Sequence, residues 1–275
     1  MTPEEQELEQ QARRISVVIV SHNRREQLRN CLQALGDAHQ VLVVDNGSKD
    51  GAWSLDEQFP AVRFIRLPKN FGLTKALNIG IRAADGTYIL LLHDDTVIAG
   101  DGVTKLADYL EDHQEVGAVC PLLMHNGSPA PQIRPLPTPS DPDPAFHTGK
   151  PGSVECVLGA AIMLRTFYLR ALRHIDERYG NYGSDIELCA QVRRSNRRLI
   201  ILDSVTAEHN PGTSPMARNA IEGDRVVGTA VYLGKHHGTF AGLLYRLKAG
   251  LAALVTFRLK TVMGAFSGVK IDGTS

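Results

Sequence analysis

The sequence predicts an α/β domain: a mostly parallel sheet flanked by helices, with a helical extension at the C-terminal end. Three observations carry that prediction. Three apolar runs, at 15–20, 40–44 and 88–92, each stop abruptly at polar residues. They read as strands buried on both faces of a sheet. Each is followed by a helical pattern, so the chain reads β-α-β-α, which implies parallel strands with right-handed crossovers.

The elements follow in order. Residues 15–20 run into Ser21-His22-Asn23-Arg24. Arg24 to Leu35 then places Leu28, Cys31, Leu32 and Leu35 at helical spacing. The second strand, Gln40 to Val44, runs into Asp45-Asn46-Gly47-Ser48-Lys49-Asp50-Gly51. Val62 to Leu67 is a further strand, and Asn70 to Ala84 the next helix, stopped before Asp85-Gly86. Tyr88 to Leu92 ends in His93-Asp94-Asp95. Ser21, Asp45, Asp94 and Asp95 therefore share one rim of the sheet, where open α/β sheets bind ligands. Paired acids there suit a hard divalent cation completed by substrate phosphates. A helix cap accounts for either acid equally well.

The second half is less regular. Val116 to Leu123 is a strand. Residues 126–152 hold eight of the fourteen prolines and are expected to hold no regular element. Such a loop is a lid, a binding loop or an insertion without a role. Gly159 to Arg165 resumes an apolar strand. Its small first residues, Gly159 and Ala160, permit close approach by a ligand or another backbone. Ser184 opens a helix whose inward stripe is Asp185, Leu188, Cys189 and Val192. A carboxylate on that stripe is costly without a partner or a job. Ser184 and Glu187 fit a capping box, which gives Glu187 a structural role. Residues 199–212 read as a last strand carrying His209.

Composition narrows the function. Thirty basic and thirty acidic residues leave no excess to argue for nucleic acid. Cys31, Cys120, Cys156 and Cys189 show no zinc spacing. Cys189 on an apolar stripe reads as a reduced thiol, which suggests the cytoplasm. Residues 1–14 read as a polar tail, not a signal peptide. No run reaches the roughly 18 apolar residues of a membrane span. The expected organisation is this tail, a ligand-binding half at 15–123, a second half at 124–212 and a basic helical region at 213–275. Between Gly234 and Lys270 there are six Lys or Arg and no acid. That segment suits the anionic inner face of the plasma membrane, or packing against the domain or a second subunit. Arg246, Lys248, Arg258 and Lys260 do not share one helical face.

Five segments, in order, resemble family 2 glycosyltransferases of the GT-A fold, a Rossmann-like sheet. They are Ser16 to Arg24, Val43 to Gly51, Asn70 to Gly80, His93-Asp94-Asp95 at the place of the DxD-type metal motif, and Tyr182 to Cys189 at the place of the "ED" segment. The similarity spans roughly residues 15 to 212 and leans toward bacterial rhamnosyltransferases. It implies an inverting transfer of a sugar from a nucleoside-diphosphate donor to a saccharide or lipid-linked acceptor, in cell-surface polysaccharide or glycolipid synthesis. It also implies a divalent cation, Mn²⁺ or Mg²⁺, held by Asp95 and His209. The nucleotide would meet Val20, Ser21, Asn23 and Asp45, then Asn46, Gly72, Lys75 and Asp94. Gly159 and Ala160 would lie near the donor sugar, and Asp185 would be the general base. Two departures stand out: Ser184 replaces the usual Glu before the catalytic Asp, and His93 opens the metal motif. Two rivals remain, a nucleotidyltransferase and a sugar-nucleotide-binding protein without catalysis. The first needs a glycine-rich phosphate loop that Ser21 to Arg25 lacks. The second does not explain Asp94, Asp95 and Asp185 together. A dehydrogenase would need a GxGxxG after the first strand.

Overall fold

The structure, a computed structural model, describes residues 14–211, 218–256, 261, 262 and 266. The tail expected over 1–14 lies outside them apart from Arg14, as does most of the stretch after Thr256. The first strands are β1 (Ile15–Ser21), β2 (Gln40–Asp45), β3 (Arg63–Arg66) and β4 (Tyr88–His93). They pair in parallel in the order β3-β2-β1-β4. Order reverses between β1 and β4, which creates a crevice beyond their C-terminal ends. Beyond β4 come β11 (Ala161–Arg165), β6 (Val116–His125) and β12 (Arg198–His209), with the short β5 (Thr96–Val97) at the edge. Strand β11 runs antiparallel to both β4 and β6, while β12 runs parallel to β6. The start of β11 thus joins the ends of β4 and β12 on one rim.

Burial on both faces follows from side-chain alternation. Val17, Ile19, Val41, Val43, Leu90 and Leu92 enter one core, and Val18, Leu42, Ile89 and Leu91 the other. Helices α1 (Arg25–Leu35) and α3 (Gly100–Asp112) cover the first face with Leu28, Leu32, Val103 and Leu106. Helices α2 (Leu73–Ala83) and α5 (Ser184–Arg194) cover the second. A short α4 (Thr166–Ala171) follows β11. The last helices are α6 (Arg218–His237) and α7 (Thr239–Val255). No described helix is long and apolar enough to cross a membrane. The four cysteines are buried and unbridged.

Two expectations are corrected. The Pro-rich segment does form regular pairings: β7 (Ser128–Pro129) adds to β6, and β8 (Ile133–Arg134) pairs with β10 (Cys156–Val157). Its strands are only two residues long, which limits the donors that proline removes. Strand β9 (Gly152–Val154) lies on β12.

The capping box is also absent. Gly183, not Ser184, is the N-cap of α5, and no side chain caps it. Glu187 is instead buried and accepts four hydrogen bonds: from Tyr179 Oη (2.9 Å), Gln191 Nε2 (2.7 Å), Lys235 Nζ (2.6 Å) and His236 Nε2 (2.8 Å). Burial alone would raise its pKa, but His236, Lys235 and Gln191 overcome that and hold it at about 2, against 4.5 normally. Its stabilising effect is therefore complete above the unfolded pKa and is lost as pH falls toward 2. Glu187→Gln should cost about 3 kcal/mol at neutral pH. In urea denaturation the gap from wild type should close between 4.5 and about 2. A gap independent of pH would refute the buried-carboxylate account.

Candidate active site

The rim collects ionisable groups because both sheet faces are apolar. Asp94 and Asp95 leave the end of β4, 6% and 7% exposed. Ser21 Oγ, from the end of β1, donates to Asp94 Oδ2 at 2.8 Å. Arg24, the N-cap residue of α1, donates to Asp95 Oδ2 and lies 3.6 Å from Asp94 Oδ1. Burial is the main influence on Asp94 and pushes it up to about 7 despite Arg24 and Ser21. Burial also acts to raise Asp95, but His209, His93 and Arg24 bring it down to about 2.

Backbone pairing brings His209 to this spot. Strand β5 begins one residue after Asp95 and pairs Thr96 with His209. Asn210 N then donates to Asp95 O at 3.0 Å. His209 Nε2 lies 3.5 Å from Asp95 Oδ1, and His93 Nδ1 lies 3.9 Å from the same atom. Ligand atoms of His93, Asp95 and His209 all fall within 4.8 Å of one another. Asp95 Oδ1 is buried and has no hydrogen-bond partner. That orphaned oxygen between two imidazoles fits a divalent cation, and the nitrogen donors suit Mn²⁺ better than Mg²⁺.

A second backbone link leads to Asp185. His93 N donates to Ala160 O at 2.9 Å, which fixes the start of β11 beside β4. The next residue back, Gly159, donates its N–H to Asp185 Oδ2 at 3.3 Å. A Cβ on Gly159 would lie 2.7 Å from Asp185 Cβ, so only glycine allows this approach. The close partner is thus another element's side chain. Asp185 and His93 line a cavity of about 160 Å³ together with Val20, Gly159, Arg134 and Tyr182.

The nucleotide-side candidates divide by what they already hold. Asn23, at φ 55°, accepts from Lys49 N through Oδ1 at 2.7 Å. Asn46 Oδ1 accepts from Phe71 N at 2.8 Å, and its amide donates to Asn70 Oδ1 at 2.9 Å. These two brace loops. Asp45 is buried and accepts from Ser48 N at 2.9 Å. Gly72, at φ 85°, is the N-cap of α2, and Lys75 is half-buried on its first turn.

Comparisons with known proteins give the family and the fold. A family profile described as Glycosyl transferase family 2 matches residues 16–172, more than half of the chain. The chain belongs to glycosyltransferase family 2. An N-acetylglucosaminyltransferase of Mesorhizobium japonicum is 35% identical over 115 residues, 38% of this chain and 27% of that protein. The match thus spans about a quarter of that relative's length. The fold matches solved GT-A glycosyltransferases. A mannosyltransferase from Pyrobaculum calidifontis, in complex with GDP-Man and Mn²⁺, superposes with a TM-score of 0.60 at 15% identity, over 93% of this chain and 86% of that one. S. aureus TarS in complex with UDP-GlcNAc gives 0.59 at 17% identity, over 80% and 66%.

Besides His93 in the metal cluster, two residues of this family 2 glycosyltransferase escaped sequence reasoning. Arg24 sat inside a quoted motif without a role. Arg134 sat inside the Pro-rich segment. It is buried, donates to Tyr182 Oη (2.9 Å) and Asp143 Oδ1 (3.1 Å), and lies 4.9 Å over the Phe146 ring. A buried arginine looks like a surface one in sequence, so no local signal marks it. Removing Arg24 as Arg24→Met leaves two buried carboxylates without their cation. The expected loss is roughly 3 kcal/mol in urea denaturation with chelator present. A loss under about 1 kcal/mol, the level of a surface pair, would show that Arg24 is not their counter-ion.

Proposed function

We propose that this transferase moves a sugar from a nucleoside-diphosphate donor to an acceptor hydroxyl with inversion, assisted by a divalent cation. The observation that carries the reading is Asp95 Oδ1, buried without a hydrogen bond between His93 and His209, one backbone link from the cavity that Asp185 lines. Asp95 and His209 hold the cation, and His93 completes the set beyond the ligands anticipated from sequence. When bound, the cation neutralises charge on the leaving diphosphate.

The chain's own residues supply the rest. Val20 and Ser21 line the nucleotide pocket, Asp45 hydrogen-bonds the base and Asp94 takes the ribose. Asn23 and Asn46 act through the loops they brace, and Gly72 and Lys75 face the nucleotide from the start of α2. Gly159 and Ala160 wall the donor sugar. Asp185 takes the acceptor proton as the acceptor oxygen bonds the anomeric carbon and the diphosphate leaves with the old bond's electrons. The Pro-rich segment contributes Arg134 to the cavity wall, and we read it as the cover on the acceptor side. The relatives' activities favour N-acetylglucosamine or mannose as the donor sugar, with rhamnose kept from the motif pattern. A saccharide or lipid-linked acceptor of cell-surface polysaccharide synthesis is kept from the same motif pattern.

Two substitutions test this. Asp95→Ala should abolish the Mn²⁺-dependent thermal shift given by UDP- or GDP-sugars, while the protein stays folded. An undiminished Mn²⁺ effect would remove Asp95 from the metal site. Asp185→Asn should lower transfer by roughly 10²- to 10⁴-fold with little change in donor affinity. The bland alternative is a helix-dipole role, which predicts at most about 1 kcal/mol of lost stability and near-normal turnover. Near-normal transfer would exclude Asp185 as the base.

A further inference from the structure

Helix α7 turns its large apolar residues outward. Phe240, Leu243, Leu247, Leu251, Leu254 and Val255 stand between 46% and 79% exposed. At about 100° per residue they fall within one sector of roughly 120°. On the inward side Gly242, Gly250 and Ala253 are buried, and Ala241 and Tyr245 pack against the second core. This inverts the usual pattern of a surface helix, whose apolar stripe faces the core. A contiguous bare apolar face marks an interaction site.

Charge selects the partner. By helical position Lys248 borders the apolar sector, while Arg246 lies on the inward arc near Ala253 and donates to Phe266 O at 3.4 Å. Helix α7 carries two basic residues, Arg246 and Lys248, and no acidic one. A second copy's α7 would bring the same two cations and no acid to meet them. An anionic lipid surface meets both features, with acyl chains for the leucines and headgroups for the cations. The helix has 17 residues and does not qualify as a membrane span. We propose that α7 lies in the plane of an anionic bilayer and docks the protein there by its Phe240–Val255 face. The inference does not depend on the transfer reaction.

The test is co-sedimentation of the full chain with vesicles of phosphatidylcholine alone or mixed with phosphatidylglycerol. The wild type should partition onto the mixed vesicles, less so at high salt. The double variant Leu247→Asp/Leu251→Asp should lose roughly tenfold or more of that partition, with unchanged melting temperature and circular dichroism. Wild-type protein that ignores mixed vesicles overturns the proposal, as does a double variant that binds equally. A wild-type dimer that the double variant splits, without vesicle binding, overturns it in favour of a second copy. Should the double variant misfold, Leu251→Trp in a Trp53→Phe background keeps the face apolar. Its emission should shift to the blue on mixed vesicles, and an unshifted emission overturns the proposal.

Discussion

A sheet covered by helices on both faces leaves its ionisable groups one place to go, the rim. Burial of a charge among Val18, Leu42 and Leu91 would be prohibitive. Three strands therefore hand over from apolar to polar at their ends: Ser21 closes β1, Asp45 closes β2, and Asp94 and Asp95 follow β4. Because six of the larger strands point one way and β11 the other, the start of β11 meets those ends. The site is a consequence of sheet direction before it is a consequence of any side chain.

Even at the rim the acids are scarcely exposed, so they need compensation. Arg24 supplies a cation and Ser21 a hydroxyl donor. That leaves one oxygen of Asp95 without a hydrogen bond, facing His93 and His209. Buried polar atoms are almost always satisfied, and an exception invites a functional account. The arrangement is held by main-chain bonds, Asn210 N to Asp95 O and His93 N to Ala160 O, which fix positions more firmly than long side chains do.

The helix that bears Asp185 is anchored with similar economy. Glu187, one turn's neighbour of Asp185, faces the opposite way into four donors, two of them from α6. Asp224 of α6 accepts from the main-chain N–H groups of Asn181 and Tyr182, just before α5 begins. Helix α6 thus clamps both the entry and the first turn of α5, and Gly159 meets the exposed side of that turn. An acidic pair separated by one residue serves two ends: Glu187 locks the helix and Asp185 faces the cavity.

What the sequence alone determined was whatever short-range periodicity encodes. Apolar runs and helical spacing fixed the α/β class, the parallel first half and the rim position of Ser21, Asp45, Asp94 and Asp95. The ordered motifs also pointed to the family. Tertiary structure alone decided which distant groups meet. Arg24 and Asp95 are 71 residues apart and pair because β1 lies beside β4. Glu187 reads as a cap within its own helix, yet its partners include Lys235 and His236, about 50 positions on. The outward face of α7 is formed by its apolar residues, and its basic residues, which share no one stripe, do not mark it. Local patterns report what each element buries. Long-range pairing, which no local pattern contains, chooses the partner.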